Sequence, residues 1–270
     1  MKKAGVIKLL VLLTLAIAAY IPTFNWMIIR CSAKDTYYSH SFLIPFISLF
    51  IVWTKKNRLS KLAMKPSNAG WLFFIPGILT HLITHYFRVS FVSGYSFIIV
   101  LIGLVLLCLG KDYLRELLFP ILFLLFMVPA PELAITNLSF RLKLFAAQIS
   151  TVVINKLGVP AIREGSLIRT AHSQIMVEDP CSGIRSLVAL IALGALMAYF
   201  SGLSKPRKLI LFISSVPIAV TTNIIRIVSL SLVSEIYGDK FATGFFHDTM
   251  GVLVFIFAFA GLAFIAKLLE

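Results

Sequence analysis

Lys205-Pro206-Arg207-Lys208 leads into LILFISSVPIAVTTNIIRIVSLSLV, Leu209 to Val233, a stretch whose only charged residue is Arg226. At about 1.5 Å of rise per residue, such a run is long enough to cross a hydrocarbon core of ~30 Å as a helix. A basic cluster at one end and a single intramembrane arginine near the other set the two questions of this chain. One is how its spans are threaded, and the other is why a cation lies inside one of them.

The same pattern recurs along the sequence. Of 270 residues, 59% are hydrophobic and 13% charged, with a mean hydropathy of +0.97. A soluble domain would carry about 25% charged residues. The expectation is therefore an all-α polytopic membrane protein of about eight transmembrane helices, solvated by lipid and forming a single domain over residues 1–270. The expected spans run from about Val6 to Ile29, Tyr38 to Trp53, Gly70 to Tyr86, Val89 to Leu109, Leu117 to Val128, Gly183 to Phe200, Leu209 to Val233 and Asp248 to Ala266. The apolar stretch after Met1-Lys2-Lys3 continues to about Ile29, long enough to span, so a transmembrane helix is expected there and not a cleavable signal peptide.

The net charge of +14 does not point to nucleic acid, because the cations sit between apolar spans and form no stripe with exposed aromatics. They read as topology signals. Lys2 and Lys3, then Lys55 to Lys65, then Lys111 and Arg115, then Lys205 to Lys208 all fall on one side if the spans alternate. The positive-inside rule makes that side cytoplasmic, with both termini on it. The inner, cytoplasmic membrane of the cell is the expected location.

The opposite side receives a long stretch from about Pro129 to Pro180. Leu133 to Leu157 reads as an amphipathic helix, interfacial or partly re-entrant, since Arg141, Lys143 and Lys156 interrupt its apolar pattern. Two alternating runs from Gly158 to Glu178 suggest a small β-hairpin that delivers the chain to Cys181. No internal repeat or low-complexity tract interrupts the chain.

Three chemically competent residues then fall at the outer ends of three spans. Cys181 opens the sixth in Cys-Ser-Gly-Ile-Arg-Ser-Leu. A helix N-terminus favours the thiolate, and Arg185, four residues on, would add positive charge one turn along. Pro180 limits the backbone before it, and Gly183 permits close approach. The competing reading is a small buried residue. Arg226, about six residues from the outer end of the seventh span, can clamp a carbonyl or stabilise an oxyanion. It can equally snorkel, or pair with Glu178, Asp179 or Glu235. His247, followed by Asp248, can serve as general acid–base, or merely cap the last helix, a role open to Asp248 too.

His172 and His40 also lie on the outer side. His81 and His85 stand one turn apart, but without a further ligand they make no metal site. Cys31, Cys108 and Cys181 are too scattered for a disulfide framework. No metal or other cofactor is expected.

The order of Cys181-Ser-Gly-Ile-Arg-Ser-Leu, Asn223-Ile-Ile-Arg226 and Phe246-His247-Asp248 resembles the exosortase/archaeosortase family of membrane transpeptidases. Tyr38-Ser-His-Ser-Phe-Leu-Ile-Pro, Phe119-Pro-Ile-Leu-Phe-Leu-Leu-Phe-Met-Val-Pro and Leu157-Gly-Val-Pro are similar as well, so the likeness covers most of the chain from Tyr37. One departure is Glu178-Asp179-Pro180 where many members have Ala before the cysteine. The resemblance implies a catalytic set of Cys181, Arg226 and His247. Asn223, Arg185, Ser182 and Gly183 would bind substrate or support the site. It implies cleavage, on the extracytoplasmic face, of C-terminal sorting signals made of a short motif, a transmembrane helix and a basic tail. Transfer of the exported protein to an acceptor follows. The partners are then such protein substrates and membrane lipid. A transporter or scaffold that binds an anionic solute through Arg226 is the alternative, and it calls for polar residues along a mid-membrane path.

Overall fold

A computed structural model describes residues 2–33, 36–177, 183–238, 241 and 245–270, and the side chains of these except residues 2–4, 245, 247 and 248. The chain is mostly helical and packs as two compact units, Met1–Pro131 and Glu132–Glu270.

The first unit is organised around α6 (Ser90–Cys108), a charge-free helix with Phe97, Val100, Leu104 and Cys108 buried. It follows α1 (Lys2–Ala19), α2 (Ile21–Ser32), α3 (Leu43–Thr54), α4 (Lys56–Lys61) and α5 (Trp71–Tyr86), and precedes α7 (Lys111–Phe123). Close α5–α6 packing follows from small residues. A Cβ at Gly77 would lie 2.7 Å from Val100 Cγ2, and one at Gly103 would lie 2.7 Å from the Phe74 nitrogen. Such positions let backbones approach where lipid gives helices no hydrophobic reason to associate.

The expected first span is in fact two helices, α1 and α2, bent by 61°. Pro22 sits in the first turn of α2. It has no N–H to give and its ring collides with the carbonyl four residues back, so the helix restarts there. Tyr20 at the break is fully buried, and its hydroxyl is 2.8 Å from Ser96 Oγ on α6. A second polar chain runs beside it, from Thr23 Oγ1 to Ser93 Oγ (2.7 Å) and from Ser93 Oγ to His81 Nδ1 (2.8 Å).

The count of spans also differs from expectation. Three described helices, Ser90–Cys108, Lys205–Tyr237 and Thr249–Leu269, are long and apolar enough to cross a membrane, or up to five if each of two bent pairs is one span. Other expected spans are shorter helices: α3 has 12 residues, α5 has 16 and α9 (Ile184–Phe200) has 17. Hydropathy measures how apolar a run is, whereas helix length is set by breaks. The second expected span begins as a 3₁₀ turn, Ser39–Phe42, before α3. The fifth starts earlier than expected, in α7, and ends in the 3₁₀ turn Leu124–Met127.

The second unit is organised around α10 (Lys205–Tyr237), which packs against α8 (Glu132–Lys156), α9 and α11 (Phe245–Leu269). Ala146, Ala147 and Ile154 of α8 form one buried cluster with Ile227 and Val228 of α10. Leu187 and Leu190 of α9, Leu211 and Ala219 of α10, and Ala258 and Leu262 of α11 form another. After α8 the Asn155 side chain turns the chain by bonding both the N–H and the carbonyl of Ala161, at 2.8 and 2.9 Å. The segment for which the sequence suggests a hairpin holds three antiparallel strands, β1 (Ile162–Glu164), β2 (Leu167–Arg169) and β3 (Gln174–Met176). Ile168 and Val177 anchor this sheet in the α8–α10 cluster.

Candidate active site

One turn of α10, Asn223 to Arg226, receives contacts from the elements on either side. Gly183, at the N-cap of α9, has φ +79°, a left-handed conformation that an L side chain adopts only with strain. A Cβ there would lie 2.8 Å from both Cγ and Nδ2 of Asn223. Asn223 is 3% exposed, so this contact is made in the interior. On the other side, the position of a Cβ on Gly251 lies 3.8 Å from Nη2 of the half-buried Arg226. Gly251 belongs to α11, one turn beyond His247 and Asp248, which occupy the first turn of that helix.

Small residues therefore bring three helices together at this turn. The side chains of His247 and Asp248, and all of Cys181 and Ser182, lie outside the described residues. Gly251 escaped the sequence reading. Its signal was its spacing of four from His247, which puts both on one helical face.

Two details of the sequence reading change. α9 begins at Ile184, so Cys181 precedes it, and the one-turn spacing assumed between Cys181 and Arg185 does not arise from that helix. Arg185 sits in the first turn, half-buried, and its Nε is buried with no hydrogen-bond partner among the described residues. The other change is that α10 continues to Tyr237, so Arg226 is farther from the helix end than the expected span suggested. The helix is longer because Ser234 and its neighbours keep helical bonding after the apolar run ends, capped where the Gly238 N–H meets the Ser234 carbonyl.

Of the carboxylates considered as partners for Arg226, Glu178 and Asp179 lie outside the described residues. Glu235 turns to the sheet, where its carboxylate accepts bonds from Thr170 Oγ1 and, at 3.1 Å, from the His172 N–H. This clips the β2–β3 connection to the end of α10. A small crevice of about 10 Å³, room for about one water, lies beside Asn223 and is otherwise lined by Leu142, Ala146, Gly183, Leu187 and Val220.

The remaining histidines have local roles. His81 is buried, stacked on Tyr20 at 3.8 Å between centroids. His85 lies one turn away, at 5.9 Å. Among the described residues no group of three or more His, Cys, Asp or Glu is arranged to hold a metal. His40 sits in the 3₁₀ turn before α3.

The family model described as Transmembrane exosortase (Exosortase_EpsH) matches residues 31–264. The chain belongs to the transmembrane exosortase family. It is an integral membrane protein, and membership supports a membrane transpeptidase in general. The matched span contains the whole Asn223–Arg226 turn, all of α9 and α10, and α11 as far as Phe264. Neither the curated proteins nor the solved structures compared with the chain gave a match.

Proposed function

We propose that this exosortase is a cysteine transpeptidase with Cys181, Arg226 and His247 as its catalytic set. The Cys181 thiolate attacks the scissile carbonyl. The Arg226 guanidinium, with the Asn223 amide beside it, stabilises the oxyanion. His247 gives its proton to the departing amine, leaving a thioester on Cys181. It then takes a proton from the acceptor nucleophile or water, whose attack releases the product and restores the thiolate beside a protonated His247. Gly183 and Ser182 shape the approach to the cysteine, and Arg185 holds substrate or favours the thiolate.

The observation that carries this reading is the double flanking of one α10 turn. Gly183 lies two residues from Cys181, so their Cα atoms are at most ~7 Å apart. Gly251 lies four residues from His247, about 6 Å along the helix. Both glycines abut the turn bearing Asn223 and Arg226.

The substrates in this reading are exported proteins ending in a short motif, a transmembrane helix and a basic tail. Cleavage occurs on the extracytoplasmic face of the cytoplasmic (inner) membrane, with both termini cytoplasmic, and the exported part passes to an acceptor. The test is co-expression of such a substrate with Cys181→Ala. Processing is lost while the protein stays folded and inserted, whereas Cys31→Ala and Cys108→Ala retain it. Hydroxylamine releases the trapped acyl group from the unmodified enzyme. Full processing by Cys181→Ala removes the cysteine mechanism.

A further inference from the structure

We propose that the α3–α5 connection of the first unit is a preformed binding platform for anionic phospholipid headgroups. Lys56, Arg58, Lys61, Lys65, Lys111 and Arg115 are all exposed, and all belong to α4, its continuation, or the first turns of α7. Few acids offset them. Glu116 is engaged by Lys55, whose Nζ donates to its carboxylate at 2.8 Å and to its carbonyl at 2.7 Å. Asp112 stands 3.8 Å from Arg115, too far for a tight pair, and that arginine side chain is 82% exposed.

A loop that only biases insertion needs its charge and no fixed shape. This loop is folded. Tyr113 Oη donates to the carbonyls of Leu59 (3.0 Å) and Leu62 (3.4 Å). The Lys65 N–H bonds Leu109 O at 3.1 Å, and the Ser67 N–H bonds Leu106 O at 2.9 Å. Gly110, with φ +99°, lets Lys65 lie against the α6–α7 turn, where a Cβ would collide with the Lys65 carbonyl. The cations of α4 are thus held beside those of α7.

The flanks suit a lipid better than a soluble anion. Trp53 ends α3 and Trp71 opens α5, at 60% and 50% exposure, and each adjoins exposed apolar side chains such as Phe50 and Leu72. Exposed tryptophans of this kind sit at the headgroup level of a bilayer. Lys56 Nζ lies 4.7 Å from the Trp53 ring, at the boundary between apolar band and platform. Acyl chains along α3 and α5 would place phosphates against α4.

The test is quenching of tryptophan by brominated lipid, with the full chain reconstituted in phosphatidylcholine vesicles and Trp26 replaced by Phe so that Trp53 and Trp71 report. Brominated phosphatidylglycerol should quench more strongly than brominated phosphatidylcholine. Lys56→Gln, Arg58→Gln and Lys61→Gln should each weaken that preference roughly fivefold, the equivalent of ~1 kcal/mol per basic residue at an anionic surface. Tyr113→Phe keeps every charge but releases α4, and it should weaken the preference as well. Equal quenching by the two lipids would overturn the proposal. So would a preference untouched in Tyr113→Phe, which would reduce the loop to a charge signal. Relief of quenching by inorganic phosphate or a short RNA would assign the platform to a soluble anion instead.

Discussion

At the residue scale, the site rests on two glycines that have no side chain to offer. Gly183→Ala adds a methyl in a left-handed conformation and drives it into Asn223. Gly165, with φ +65° and nothing within 4 Å of its Cβ position, provides the strain without the collision. Both alanine variants should lose about 1–2 kcal/mol of stability from the backbone alone. Only Gly183→Ala should also lose substrate processing, and equal processing by the two would detach Gly183 from the site. Arg226 admits a sharper test. A planar guanidinium presents two parallel donors to an oxyanion and an ammonium cannot. Processing by Arg226→Lys should therefore fall nearly as far as by Arg226→Ala, at unchanged thermal stability. An arginine that only snorkels would be replaced well by lysine.

At the element scale, Glu235 ties a sheet of three-residue strands to the end of a 33-residue helix. Strands this short do not hold themselves, and hydrogen bonds to a carboxylate contribute roughly 1.5–3 kcal/mol. Glu235→Ala should speed hydrogen exchange of the Leu167–Arg169 and Gln174–Met176 amides on the order of tenfold or more. Exchange in α9 and α10 should stay as it was. Unchanged exchange in the strands would show that Ile168 and Val177, buried among α8 and α10, hold the sheet without the clip. The existence of α6, α8, α9, α10 and α11 was legible in the sequence, because apolarity and its period are written locally. The break at Tyr20 was written as well, in Pro22, and the length of the apolar run concealed it. The third strand was hidden because strands of this length carry almost no periodic signal.

At the scale of the whole molecule, the distribution of cations makes a topological statement. Asn57, in the basic α4, and His172, on the connection clipped by Glu235, are both exposed. In a background without the native cysteines, His172→Cys should react with a membrane-impermeant maleimide on intact cells. Asn57→Cys should react only after permeabilisation. Labelling of Asn57→Cys on intact cells, with His172→Cys reached only after permeabilisation, would reverse the assignment of cleavage to the extracytoplasmic face. The number of crossings is set by how helices are broken and paired, which hydropathy alone does not read: among the described residues three to five spans meet the length and composition of a crossing.

The sequence by itself determined the membrane class, the basic loops, the order of the helices and the presence of a thiol, a guanidinium and an imidazole near span ends. Each of these is a property of a short window: how apolar it is, where its charge lies, which reactive group it carries. Only the tertiary structure decided that Gly183 meets Asn223 and that Gly251 meets Arg226. Those pairs are separated by tens of residues, and no local preference selects them. They follow from how closely α9, α10 and α11 can pack, which is settled where a side chain is missing.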